Sequence, residues 1–154
     1  MSIGYDSVSW EAIPQHAEFV LGYDDDGDYS WPQEAWDYFT GTKYRIDSTG
    51  ARADQCGFLD VETGAAHIGI ARQWCESRIK LYGPRARRVL YCNMSTWPAL
   101  EDAVRGVSGV KYWIANPTGH AHRIPGAVMT QYAWPGYGSP GNYDMNYLYG
   151  KLVG

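Results

Sequence analysis

The sequence has no block of basic residues. Its 154 residues carry 13 Lys and Arg against 17 Asp and Glu, which gives a net charge of −4. Proteins that bind nucleic acid neutralise its phosphates with clustered Lys and Arg. The nearest cluster, Arg85-Ala86-Arg87-Arg88, is short, and we predict that it lies in solvent where a helix meets a strand. Nucleic acid is therefore not an expected partner.

A long apolar run is also missing. No apolar segment follows Met1, and no stretch is long enough to cross a bilayer. We therefore expect a chain that is made in the cytoplasm without a signal peptide and has no membrane partner. If it acts outside the cell, lysis or a carrier particle has to take it there.

Cysteine is scarce, with Cys56, Cys75 and Cys92 far apart in the chain. An odd number at wide spacing indicates neither a disulfide framework nor a zinc site, so we predict free, buried thiols. The acidic run at residues 24–28 does not match a calcium loop, because Tyr29 and Ala35 stand where an EF-hand has Gly and Glu. Neither a metal nor another cofactor is expected.

Aromatic residues are abundant, but few of them are Phe. Seven Trp and thirteen Tyr stand against three Phe, and together they make 15% of the chain. Tyr and Trp combine an apolar body with a polar group. They suit a core, and they also suit a wet, concave surface that grips a sugar or a peptide. Abundance alone leaves both interpretations open.

About eight short apolar runs have the length of strands. They lie at residues 3–5, 19–23, 44–46, 58–61, 89–91, 112–115, 127–132 and 143–148. Helical patterns separate the earlier runs. The clearest covers residues 64–82, two more begin near Trp31 and Ser95, and a weak one covers residues 10–18. No helical pattern follows residue 115.

Alternating strands and helices predict a parallel α/β sheet, and eight strands favour a closed barrel. A full (β/α)₈ barrel usually needs ~200–250 residues. We therefore predict a reduced TIM-like barrel that lacks helices in its last third, with residues 1–154 forming a single domain. An open, flavodoxin-like sheet is the competing fold.

Two carboxylates stand two positions apart in the segment Phe58-Leu59-Asp60-Val61-Glu62-Thr63-Gly64. Residues i and i+2 of a strand point the same way, so Asp60 and Glu62 share a face with Phe58. In a barrel they would emerge at the C-terminal mouth, where the active sites of such barrels lie. The alternative is a cap for the helix that follows Gly64, and the spacing alone does not separate the two.

Three further acids accompany predicted strands: Asp6, Asp47 and Asp144. Carboxylates that converge on one barrel mouth repel one another, which raises the pKa of at least one of them. A carboxylic acid with a raised pKa beside an ionised carboxylate is the arrangement that glycoside hydrolysis needs.

The order of these motifs resembles that of a known enzyme family. The matching segments are Gly4-Tyr5-Asp6, Asp60-Val61-Glu62, Trp113-Ile114-Ala115, Gln131-Tyr132 and Tyr143-Asp144-Met145-Asn146. Over essentially its whole length the chain resembles the family 25 glycoside hydrolases, the lysozyme-like muramidases, and in particular a compact branch from actinobacteria and their phages. The resemblance implies a barrel of five βα units followed by three strands without proper helices.

The resemblance also implies roles for individual residues. Glu62 would be the general acid/base, Asp60 would position or stabilise the reacting centre, and Asp6 and Asp144 would complete the acidic set. The implied substrate is the glycan strand of peptidoglycan, cut after N-acetylmuramic acid. The predicted substrate-binding residues are Tyr91, Trp113, Gln131 and Asp47, although Trp113 is equally suited to core packing.

Two functions from different classes follow. The first is a phage-derived hydrolase that cleaves peptidoglycan. The second is a non-catalytic module of the same fold on a virion, where it would serve as a capsid, tail or glycan-binding component with phage structural proteins as partners. The acidic set favours the first. The small size of the chain, without a wall-binding repeat, favours the second.

Overall fold

A computed structural model describes residues 1–153, which contain nine strands and three short α-helices. All three helices lie between strands in the first two thirds of the chain. The strands are β1 (Ser2–Asp6), β2 (Phe19–Tyr23), β3 (Thr42–Asp47), β4 (Phe58–Asp60), β5 (Val89–Asn93), β6 (Lys111–Ala115), β7 (Met129–Pro135), β8 (Gly138–Ser139) and β9 (Asp144–Leu148). The helices are α1 (Gln33–Tyr38), α2 (Ala71–Tyr82) and α3 (Trp97–Ala103), and 3₁₀ turns cover Trp10–Ala12 and Ile68–Ile70.

Eight of the strands close into a barrel. The sheet runs in the order β6-β5-β4-β3-β2-β1-β9-β7, and parallel pairing of β6 with β7 joins its two ends. The two-residue strand β8 pairs only with β7. The reduced α/β barrel predicted from the sequence is therefore confirmed, and the open-sheet alternative is wrong.

The direction of β9 distinguishes it from the rest of the barrel. It runs antiparallel to both of its neighbours, β1 and β7, while all other barrel pairs are parallel. The first residue of β9, Asp144, is consequently paired with the last residue of β1, Asp6. The reversal thus carries a carboxylate from the start of β9 to the mouth where the parallel strands end.

Side-chain alternation separates the barrel interior from the helix layer. Phe58 is buried in the interior with Phe19, Trp113 and Met129, whereas Leu59 packs outward in the cluster that contains Trp74 of α2. Successive side chains of a strand point to opposite faces, and both faces of a parallel sheet are covered, so both residues are buried. A glycine makes room for this packing, because a Cβ on Gly4 would lie 2.3 Å from the Phe19 ring.

The helices are shorter than predicted. In place of a helix from residue 64, the chain makes a turn in which the Ala65 N–H bonds the Glu62 carbonyl and Gly64 takes φ +86°, so that α2 begins only at Ala71. The weak pattern at residues 10–18 forms a single 3₁₀ turn. Beyond Ala103, the described part of the chain contains no helix, as predicted.

The basic cluster lies between α2 and β5, as predicted, and Arg85 is exposed, but the prediction of a solvated cluster is wrong for Arg88. Arg88 is fully buried, and its guanidinium donates to the carbonyls of Pro84, Ala86 and Ser108. Backbone carbonyls that lack other donors take the place of water around this cation. The three cysteines are free and buried within the described chain, as predicted. None of the helices in residues 1–153 is long and apolar enough to cross a membrane.

Candidate active site

The barrel mouth holds one acidic pocket. Its lining comprises Asp6, Tyr23, Ile46, Asp60, Glu62, Tyr91, Trp113, Gln131 and Asp144. Seven of the eight residues predicted from the sequence to form a site are therefore brought together there. Within residues 1–153, no Lys, Arg or His lines this pocket. Its acids must accordingly share protons or accept hydrogen bonds, since no cation offsets their charge.

Asp60 and Glu62 form the first pair of acids. Asp60 is only 2% exposed, and its Oδ2 accepts a 2.8 Å hydrogen bond from the Tyr23 hydroxyl. Its Oδ1 is buried and has no hydrogen-bond partner among the residues that the structure describes. Glu62 follows in the turn after β4 and is exposed. The pair thus joins a buried carboxyl to one that faces the mouth.

A proton on Asp60 accounts for its unpartnered oxygen. Burial, and then the interaction with Glu62, raise the pKa of Asp60 to about 8. Tyr23 already donates to Oδ2, so Oδ1 is the oxygen left to carry the proton. The pair then holds one proton, which Asp60 and Glu62 can exchange at the mouth.

Asp6 and Asp144 form the second pair. The Gln131 Nε2 lies 3.1 Å from Asp6 Oδ2 and 3.2 Å from Asp144 Oδ2, and the Asn146 Nδ2 lies 2.7 Å from Asp6 Oδ2. Burial raises the pKa of Asp6 to about 6 against the lowering effect of these amide donors. Burial and the charge of Asp6 raise the pKa of Asp144 to about 8.

The predicted aromatic residues donate hydrogen bonds to the two amides that bond this pair of acids. Tyr91 stacks on Trp113 at 4.5 Å between ring centroids, and its hydroxyl donates a 2.8 Å hydrogen bond to Gln131 Oε1. Trp113 is buried, and its indole N–H donates to Asn146. Trp113 therefore packs in the core, as one of the two predictions had it, and its ring also lines the pocket.

Asp47 is the one predicted site residue that lies outside the pocket. It is fully buried, and its carboxylate accepts bonds from the backbone N–H groups of Thr49, Gly50 and Arg52 and from the Trp74 indole. It follows the inward-facing Ile46 in β3 and so points to the opposite side of the strand. Its oxygens hold the loop after β3 and are not directed at a ligand.

Sequence reasoning missed three residues at the mouth. Tyr23 and Asn146 bond the acids directly. Tyr29 is 53% exposed and lines an adjoining cleft with Val8, Ser48, Thr63 and Glu62. Tyr23 could have been predicted, because the alternation of Phe19, Leu21 and Tyr23 places it inward at the end of β2. Tyr29 lies in a loop, where no periodicity indicates which way a side chain faces.

The pocket is too small to enclose a sugar ring. Its volume is about 50 Å³, compared with ~300–1,000 Å³ for pockets that enclose small molecules. A ligand would therefore lie across the mouth and send only a substituent down between the two acid pairs. This arrangement can protonate a leaving oxygen beside Glu62 and hold a negative charge near the atom that becomes positive.

Comparison with known proteins gives likeness of fold without likeness of sequence. No protein-family model and no curated protein matches the chain. Among solved structures, a family 25 glycosyl hydrolase from Bacillus anthracis is 16% identical, with a TM-score of 0.56 over 98% of this chain and 90% of that one. The CTP1L endolysin is 17% identical, with a TM-score of 0.46 over 96% of this chain and 66% of that one. The chain therefore has the fold of a family 25 glycosyl hydrolase, and the predicted resemblance is confirmed at the level of fold.

Proposed function

We propose that this chain is a lysozyme-like glycoside hydrolase in which residues 1–154 act as one domain on peptidoglycan glycan strands. The observation that carries the proposal is the Asp60–Glu62 pair, with one acid buried and protonated and the other exposed at the mouth of a closed barrel. A general acid has to present a proton to a substrate that lies on the solvent side of the site, while the pKa of the acid is kept high. This pair meets both conditions. The fold of a family 25 glycosyl hydrolase supports the same reaction class.

In the proposed reaction Glu62 is the general acid and then the base. The proton that the pair shares passes from Asp60 through Glu62 to the glycosidic oxygen as the bond to the anomeric carbon breaks, and the electron pair of that bond leaves with the oxygen. Both acids are then ionised. Glu62 then takes a proton from the water that attacks the sugar, which restores the starting state.

The charge of the pocket favours a neutral group over an anionic one. Four carboxyl groups and no cationic side chain line it, so a neutral acetamido substituent can enter, whereas a lactyl carboxylate or an acidic stem peptide is repelled. We propose that the sugar in the mouth directs its acetamido group downward and its lactyl group outward. Cleavage then follows N-acetylmuramic acid, as in a muramidase, at a wall that is reached after lysis or from a virion.

The test is the release of reducing ends from purified peptidoglycan. Glu62→Gln keeps the shape of the side chain and removes the proton-transfer group, so the rate falls roughly 10²-fold or more. Glu34→Gln, on the exposed side of α1, is the matched control and retains full activity. Borohydride reduction followed by acid hydrolysis identifies the new end, and muramitol is expected in place of glucosaminitol.

A folded wild-type chain that releases no reducing ends would show the hydrolase proposal to be wrong. Sedimentation with insoluble peptidoglycan then tests the non-catalytic alternative. Retention of both wild type and Glu62→Gln in the pellet would identify a glycan-binding module.

A further inference from the structure

A buried hydrogen-bond chain runs from the barrel core to the second pair of acids. The Trp113 indole N–H donates to Asn146 Oδ1 at 2.8 Å, and Asn146 Nδ2 donates to Asp6 Oδ2 at 2.7 Å. Asn146 is completely buried, and Trp113 and Asp6 are almost so.

The chemistry of the indole fixes the direction of the chain. An indole nitrogen can only donate, so the Asn146 atom that faces it has to be the amide oxygen. The other end of the amide is then the NH₂ group, which can only donate. Asp6 Oδ2 must therefore be the acceptor of this bond. The assignment of the amide follows from the donor type and not from the coordinates alone.

The neighbouring acid receives fewer donors. Asp6 Oδ2 accepts from both Asn146 and Gln131, whereas Asp144 accepts from Gln131 alone. Donors stabilise the ionised form of a carboxyl group. We infer that Asn146, oriented by Trp113, keeps Asp6 as the anion of the Asp6–Asp144 pair and leaves the shared proton on Asp144, so that Asn146 is a positioning residue of the site.

The surroundings of the pair agree with this assignment. The titratable groups that face Asp6 are Asp144 on β9, Asp60 at the end of β4, Glu62 beyond it, Tyr23 on β2 and Tyr91 on β5. All of them are acidic or neutral, so none favours ionisation of one member of the pair by an opposite charge. The pKa of Asp144 is raised further than that of Asp6, in the order that the amide donors dictate.

The consequence for the reaction depends on the proposed function, whereas the placement of the proton does not. With the proton on Asp144, that residue is a hydrogen-bond donor towards a carbonyl on the sugar, and Asp6 is the fixed negative charge behind it.

Which of the two acids carries the proton can be measured directly by ¹³C NMR of the aspartate carboxyl groups across a pH titration. Signals are assigned by their loss in Asp6→Asn and Asp144→Asn. In the wild type, Asp6 should ionise at lower pH than Asp144. In Asn146→Ala, the midpoint of Asp6 should rise by about one pH unit, because a hydrogen bond to a charged group has been removed. Gln73→Ala, on the exposed side of α2, should leave both midpoints unchanged.

A second variant covers the possibility that Asn146→Ala does not fold. Trp113→Phe keeps an aromatic ring at this position and removes the N–H that orients the amide, so the midpoint of Asp6 should rise by a smaller amount in the same direction. An Asp144 midpoint at or below that of Asp6 in the wild type would overturn the inference, as would an unshifted Asp6 in whichever variant folds. None of these readings requires catalytic activity, so failure of the proposed hydrolase would be recognised separately. If the enzyme is active, the acidic limb of its pH–rate profile should move to higher pH in Asn146→Ala.

Discussion

The Tyr23 hydroxyl donates a 2.8 Å hydrogen bond to Asp60 Oδ2 and thereby determines which oxygen of this buried acid can hold a proton. Oδ1 is left without a donor inside the protein, and the exposed Glu62 is the acid to which a proton there is shared. The geometry of a single phenol therefore decides where the proton of the first acid pair lies. Burial and three nearby carboxylates raise the pKa of Tyr23 itself, so it remains a donor throughout the working pH range.

Replacing Tyr23 with Phe tests this relationship. The variant removes the donor and keeps the ring, so the proton on Asp60 is no longer confined to one oxygen and the pKa of Asp60 rises further. We expect activity on peptidoglycan to fall about tenfold, which corresponds to the loss of one hydrogen bond. Tyr44→Phe is the control, because its ring packs inside the same barrel but does not line the pocket. Equal activity of the two variants would contradict the role assigned to Tyr23.

The raised pKa values predict an unusual dependence of stability on pH. The pKa of Asp6 is raised to about 6, and those of Asp60 and Asp144 to about 8, whereas an unfolded aspartate titrates near ~3.9. Between about pH 4 and pH 8 the folded chain therefore binds more protons than the unfolded chain. The free energy of unfolding should consequently fall as the pH rises through this window.

Thermal unfolding between pH 5 and pH 8.5 checks this sign. We expect Tm to be highest near pH 5 and to decrease towards pH 8.5. Asp144→Asn cannot ionise, so its Tm should depend less steeply on pH, while the exposed Asp102→Asn should follow the wild type. A Tm that rises with pH across this range would show that the acids are ionised in the folded protein.

Tyr29 is expected to contact the glycan strand beside the cleavage site. It is exposed, lines the cleft next to Glu62 and packs against Tyr23 at 6.0 Å between ring centroids. In a Glu62→Gln background, Tyr29→Ala should weaken sedimentation with insoluble peptidoglycan roughly tenfold, since an aromatic face supplies most of such a contact. Tyr29→Phe should bind as well as the parent. Weakening by both substitutions would point to the hydroxyl instead of the ring.

Asp47 is expected to matter for stability and not for catalysis. Replacement by alanine leaves buried N–H donors of the following loop and of Trp74 without an acceptor. The free energy of unfolding in urea should fall by about 3–5 kcal/mol. Under conditions where the variant is folded, its KM for peptidoglycan should equal that of the wild type. A raised KM would return Asp47 to the substrate-binding set.

The sequence by itself determined the strands and the chemistry of the site. Successive side chains of a strand point to opposite faces, so Leu59 has to face outward when Phe58 faces inward. The same alternation carries Asp60 to the barrel mouth with Phe58. Even the exclusion of Asp47 was contained in the sequence, since the residue after an inward-facing Ile46 has to face outward.

Only the tertiary structure decided how these acids meet. Asp6 and Asp144 are neighbours because β9 reverses direction and pairs with β1, and pairing between segments so far apart in the chain leaves no mark on the local pattern of either. The burial of Arg88 was likewise hidden, because it depends in part on the Ser108 carbonyl, which another segment of the chain supplies. The tertiary structure also decides which of the acids are protonated, because a carboxyl group acquires its pKa from burial and from the donors that long-range packing places around it.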